Sequence, residues 1–172
     1  VSNKIGYPVV LKALGSALKS DWGDVFLNFR TQKAVENAAN NILQEHVIVE
    51  KMVSDVVLEL LVGVVHDPAH GMLLTLAAGG VLTEILSDTS SLLLPSSEDE
   101  VLECFYQLRV SKIAKGYRGL SKVDVNQIVD AIMKIQEFVL DNRDKVFEIE
   151  INPLIVTNSE VIVADALIRK VT

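Results

Sequence analysis

Two apolar strands around a short polar turn, FEIEINPLIVTNSEVIVADALI from Phe147 to Ile168, carry four oxygen-bearing side chains inside them: Glu148, Glu150, Asn152 and Asp165. Strand side chains alternate between faces, which sets Glu148, Glu150 and Asn152 on one side and Phe147, Ile149 and Ile151 on the other. Asn158 and Ser159 form the natural centre of a two-residue turn. That register pairs Asn152 directly with Asp165, with Cβ atoms roughly 4.5 to 5.5 Å apart and Glu150 diagonal to Asp165 on the same face. A small hard cation could touch both side chains of the pair. The plain alternative is a hairpin with one wet face, on which Asn152 ends a strand with Pro153 and Asp165 is solvated.

Other charged residues interrupt apolar runs in the same way. Lys12 sits among Val9, Val10, Leu11 and Ala13, where an ammonium either meets an anion or snorkels from an edge strand. Lys19, Ser20 and Gly23 follow in a loop whose small residues would let backbone amides approach a phosphate, although no Walker pattern is present. Glu50 and Glu59 each break a strand-like run and need a hydroxyl, an amine or a cation; a salt bridge to Lys51 or to a neighbouring strand would serve equally. Ala77-Ala78-Gly79-Gly80 removes side chains where a ligand could approach closely, or where the chain turns tightly. His66 and His70 flank Asp67-Pro68, which makes a turn and not a helical metal pair. No order of Ser, His, Asp or Cys suggests a nucleophile, and Cys104 lies on the apolar side of a helix.

These residues need elements to hold them. Strands are expected at Tyr7 to Ala13 and Asp24 to Phe29, then a helix from a Thr31 cap through Glu45 with Val35, Ala38, Ala39, Ile42 and Leu43 on one face. Runs from Val47, Leu58 and Gly71 read as an antiparallel meander with its last turn at His66 to His70. Ser97 with Glu100 forms a capping box, and Ser121 with Asp124 a looser one, ahead of two amphipathic helices separated by GYRG. The order of strands, helix, strands, two helices and strands has no repeated βαβ unit, so an α+β fold with helices packed on a mainly antiparallel sheet is expected. A seam near Glu45 would divide it into residues 1–45 and 46–172.

The 172 residues are 49% hydrophobic, enough for a real core, and the formal charge is -7. That balance gives no electrostatic reason to expect nucleic acid or an anionic membrane as partner. The single cysteine suits a reducing compartment, the cytoplasm by default, and no apolar run is long enough to span a bilayer.

Taken in order, IGYPVVLKA, KSDWGDV, VIVEKMV, LELLVGVVHDP, AAGGVLTEILSD, GYRG, EIEINPLIV and ADALI resemble the ATP-grasp domain of nucleoside-diphosphate-forming acyl-CoA synthetases. The nearer group is the ADP-forming acetate:CoA ligases, and the succinate:CoA ligase β subunit is a more distant relative. The resemblance covers nearly the whole chain. It implies two lobes holding ATP or ADP with Mg²⁺, and phosphate exchange with a phosphohistidine on a CoA-binding partner domain or subunit. A small carboxylic acid then becomes its acyl-CoA. By motif, Lys12 and Lys19 resemble phosphate contacts, Glu50 and Val53 the segment reading adenine or ribose, and Glu59 a further nucleotide contact. Asn152 and Asp165, with Glu150 beside them, are similar to the family's Mg²⁺ ligands.

Two departures stand out. Leu18 precedes Lys19 where family members usually carry a histidine, which leaves open a non-catalytic nucleotide-binding or assembly subunit. A ligase joining a carboxylate to an amine is a third reading. The short helix-to-strand connection at Glu45-His46 and the short loop after Lys12 lead to one further expectation: segments missing from the numbering near residues 44–46 and 15–19.

Overall fold

The computed structural model describes residues 2–14, 25–42, 46–80, 87–117, 119 and 121–171. They fall into two compact units, Val1–Ser54 and Asp55–Thr172. The first contains α1 (Ser2–Ile5), β1 (Val9–Leu14), β2 (Val25–Phe29), α2 (Gln32–Asn41) and β3 (His46–Lys51), with the strands ordered β2-β1-β3 and all pairs antiparallel. Val9 and Leu11 are fully buried and pack with Val35 of α2, supported by Phe29, Ala38, Ile42 and Val49. Thr31 is the expected cap: its backbone is extended and its hydroxyl accepts the Ala34 N–H at 3.3 Å. The helix stops at Asn41, short of Glu45, because Ile42 already turns to extended backbone.

Two expectations are corrected in this unit. β3 does not open a meander with the two strands that follow it. It pairs with β1 over its whole length, from Val9 opposite Lys51 to Leu14 opposite His46, and the Met52 N–H extends the ladder to Pro8 O at 3.0 Å. A central strand such as β1 must satisfy its backbone groups on both edges, and β2 and β3 do so. The seam therefore falls after Ser54, nine residues beyond its expected place. The expected junctions at residues 15–19 and 44–45 lie outside the described residues.

In the second unit β4 (Val56–Asp67), β5 (Gly71–Ala78) and β6 (Thr89–Leu93) form an antiparallel meander, and β7 (Val146–Thr157) pairs with the other edge of β4. β8 (Val161–Val163) and β9 (Ala166–Lys170) both pair with β7. β6 has no counterpart among the expected strands; its buried Ser90 donates to Gln107 Oε1 at 2.7 Å, so the hydroxyl is satisfied inside.

The described helices are α3 (Glu98–Gln107), the short α4 (Ser111–Ala114) and α5 (Val125–Asp141). The Ser97 and Glu100 capping box is present, with Glu100 N–H on Ser97 Oγ and Ser97 N–H on Glu100 Oε2. Ser121 is not a cap; Asp124 is, accepting the Asn126 N–H at 3.1 Å. Val101, Phe105, Ile128 and Ile132 pack against Leu58, Leu60, Val62 and Val64, which alternate along β4. The helices thus cover one face of the sheet. The other face carries Glu59, Leu61, Gly63 and Val65 and gives none of them to this core. No described helix is long and apolar enough to cross a membrane.

Candidate functional site

The hairpin of β7 with β8 and β9 follows one register. Leu154 faces Val163 and Val156 faces Val161, while Ile151 faces Ala166 and Glu150 faces Leu167. Thr157 N–H donates to Glu160 O at 2.9 Å, leaving Asn158 and Ser159 as the two-residue loop. Between the two arms the Asn152 N–H donates to Asp165 O at 3.2 Å. Asn152 and Asp165 are therefore directly opposed, and both are half-buried.

The assignment of faces along β7 needs correction, because the strand carries two bulges. Ile151 lies opposite Val62 and Leu154 opposite Leu60, so Asn152 and Pro153 together face Leu61. One extra residue reverses the alternation, which is why Ile149, Ile151, Leu154 and Val156 all reach the core. A second shift lies between Val146 and Glu148 and turns Phe147 outward, 43% exposed, instead of in with Ile149. Glu148 is committed: its carboxylate accepts from Arg169 Nη1, directly across the ladder, at 2.8 Å.

The donors at this bulge are one amide oxygen and the carboxylates of Asp165 and Glu150, a hard set that suits Mg²⁺. Among the described residues no three His, Cys, Asp or Glu side chains cluster closely enough to cage a metal alone.

In the first unit Lys12 is ion-paired with Glu50. The two lie diagonally across the β1–β3 ladder, where Val10 is the residue opposite Glu50. Lys12 is thus satisfied by a carboxylate, and the partner of Glu50 is on the neighbouring strand and not Lys51. Val53 is half-buried just beyond β3. Lys19 lies outside the described residues.

Glu59 stands on the open face of β4, half-buried. Its carbonyl accepts the Gly79 N–H at 2.8 Å. A Cβ at Gly79 would fall 2.7 Å from the Leu60 carbonyl carbon. A Cβ at Gly80 would overlap Glu59 Oε2, and Gly80 also holds a φ of +70°. The close approach foreseen at the two glycines is made by the chain's own β4. Its signal was present in the sequence: a β4–β5 hairpin closed at Asp67 and Gly71 brings Glu59 opposite Gly79.

Several other polar residues are structural. Asp88 is buried and accepts the Arg109 and Val110 N–H groups at 2.7 and 2.9 Å, fixing the turn between α3 and α4. Asp67 accepts the Ala69 and His70 N–H groups, both at 2.8 Å, and these bonds hold its carboxyl below the usual range. Burial pushes the Cys104 thiol up, and its Sγ donates to Ser90 Oγ at 3.2 Å within the core. A groove of about 610 Å³ lies on the helix-bearing side, lined by Phe138 and Lys134 of α5 with Ile149, Ile151, Val163 and Ile168. It is apolar and apart from the face of Glu59 and Glu150.

The sequence model of the family described as ATP-grasp domain matches residues 1–169, and the chain belongs to that family. It is similar to the acetate–CoA ligase (ADP-forming) I subunit beta of Pyrococcus furiosus, 30% identical over 96% of this chain and 76% of the relative. It also matches acetate–CoA ligase (ADP-forming) I of Archaeoglobus fulgidus, 33% identical over 96% of this chain. The chain spans only 26% of that longer relative. Among solved structures, one superposes with a TM-score of 0.82 and 31% identity over 96% of this chain and 78% of its own. It is the dinucleotide forming acetyl-coenzyme A synthetase 1 of Ca. Korarchaeum cryptofilum, in complex with coenzyme A and Mg-AMPPCP, its phosphohistidine segment pointing towards the nucleotide binding site.

Proposed function

We propose that this chain is the nucleotide-binding part of an ADP-forming acyl-CoA ligase. In this reading it exchanges phosphate between ATP or ADP and a phosphohistidine on a CoA-binding partner domain or subunit. The observation that carries it is the likeness over 96% of the chain to a protein solved with coenzyme A and Mg-AMPPCP. The phosphoryl group leaves ATP for a histidine nitrogen, passes to a small carboxylic acid as an acyl phosphate, and is released as phosphate when the CoA thiol attacks the acyl carbon. Such transfers need little covalent chemistry from the protein and depend on positioning and charge. Lys12 and Lys19 would face the phosphates, with Lys12 exchanging Glu50 for them. Glu50 and Val53 would face the adenine or ribose. Asn152 and Asp165, with Glu150, would hold Mg²⁺, which supplies neutralising charge to the phosphates.

Isothermal titration of the protein with Mg-ATP tests the assignment. Asp165→Asn is expected to weaken binding by about tenfold or more, the effect of losing one charged ligand. Undiminished affinity in that variant would remove Asp165 from the metal site. Mixing the chain with a CoA-binding, histidine-carrying partner, an acid, CoA and Mg-ATP should yield ADP and acyl-CoA. Nucleotide binding without that turnover favours the second reading, a non-catalytic subunit, which Leu18 before Lys19 supports.

A further inference from the structure

Glu59 and the Gly79-Gly80 turn are built as one piece on the open face of β4 and β5. Gly79 is pressed on the backbone of Glu59 and Leu60, within 2.9 Å of three of their atoms had it a Cβ, and its N–H is held by Glu59 O at 2.8 Å. Gly80 takes a left-handed φ of +70°, and Glu59 Oε2 fills the space its side chain would occupy. Glu59 and the two glycines thereby form a single surface in which the carboxylate stands in for the missing side chain of Gly80. An acidic group aimed at phosphates would repel them, so its place over a glycine turn gives it another task.

We infer that Glu59 is a positioning residue: its carboxylate fixes the Gly79-Gly80 backbone against the sheet, and the turn, not Glu59, meets the nucleotide. This rests on the nucleotide-binding reading above. It differs from a direct contact, in which Glu59 would grip a ribose hydroxyl.

The test titrates the full-length protein with Mg-ATP and with its 2′-deoxy and 3′-deoxy analogues, and follows hydrogen exchange at the Gly79 and Gly80 amides. Glu59→Ala is expected to weaken all three nucleotides alike, by about tenfold, as for loss of one hydrogen-bonding partner. Both amides should exchange faster. Glu59→Gln keeps the shape and an acceptor oxygen, so it should stay within about threefold of wild type. Gly80→Ala displaces the carboxylate while leaving Glu59 in the chain, and should match Glu59→Ala. A Glu59→Ala variant that loses affinity for ATP but not for one deoxy analogue overturns the inference in favour of a ribose contact. Unchanged affinity or unchanged exchange in Glu59→Ala overturns it as well. Failure of the wild type to bind Mg-ATP refutes the nucleotide reading instead, and the exchange result then still decides whether Glu59 holds the turn.

Discussion

Gln136 sits on the apolar face of α5, 6% exposed, where an unsatisfied amide costs about 1–3 kcal/mol. It is fully used. Oε1 accepts from the Ser96 N–H at 2.8 Å and the Ser96 hydroxyl at 2.9 Å, and Nε2 donates to Ser96 O at 3.0 Å. One side chain thus ties α5 to the loop that starts α3. Gln136→Leu would keep the volume and orphan the Ser96 backbone, so a loss of about 1–3 kcal/mol is expected from urea unfolding monitored by circular dichroism. The neighbouring capping box adds a pH dependence. Hydrogen bonds from the Ser97 backbone and then its hydroxyl hold the Glu100 carboxyl below its ordinary value of 4.5. A carboxylate with a depressed folded pKa contributes stability that is present above its unfolded pKa and is lost as pH falls through the folded one. The stability gap between wild type and Glu100→Ala should therefore be widest at neutral pH and shrink below 4.5, as thermal melts at a series of pH values would show.

At the scale of elements, the β4–β5 hairpin depends on glycine where backbone meets backbone. Gly79→Ala would drive a Cβ to 2.7 Å from Leu60 C, main-chain atoms that cannot rotate away. Overpacking of this kind costs about 1–3 kcal/mol, and the melting midpoint of the second unit should fall accordingly. The hairpin also shows what can be read from residues alone. A two-residue turn at Asn158-Ser159 fixes every cross-strand pair by symmetry, so the opposition of Asn152 and Asp165 was legible. Which face each residue of β7 takes was not, because the bulge at Asn152-Pro153 is defined by the partner strand β4. The meander failed at β3 for a related reason: its pairs with β1 are separated by 32 to 42 positions, from Leu14 with His46 to Val9 with Lys51, and periodicity carries no record of which distant edge needs a strand. Caps behave differently, since Thr31 and the Ser97-Glu100 box act within three residues and both were readable.

The molecule as a whole divides its core unequally. The described buried cluster of the first unit is Val9, Leu11 and Val35, whereas the second buries an extensive set running from Leu58 to Val156. Below about 70–80 residues a single core rarely supplies more than about 3–5 kcal/mol, and the first unit has only residues 1–54. A fragment of residues 55–172 should fold alone, with a cooperative melt and dispersed amide resonances, because its core cluster draws on no described residue of the first unit. Residues 1–54 expressed alone should show neither. The folded larger fragment keeps Glu150, Asn152 and Asp165 but lacks Lys12 and Glu50, so it separates the proposed metal ligands from the proposed phosphate contact. It is expected to bind Mg-ATP at least tenfold more weakly than the full chain, since about 1.4 kcal/mol per decade is a modest share for a lost ammonium–phosphate contact. Equal affinity in fragment and full chain would place the nucleotide wholly on the second unit and remove Lys12 from it.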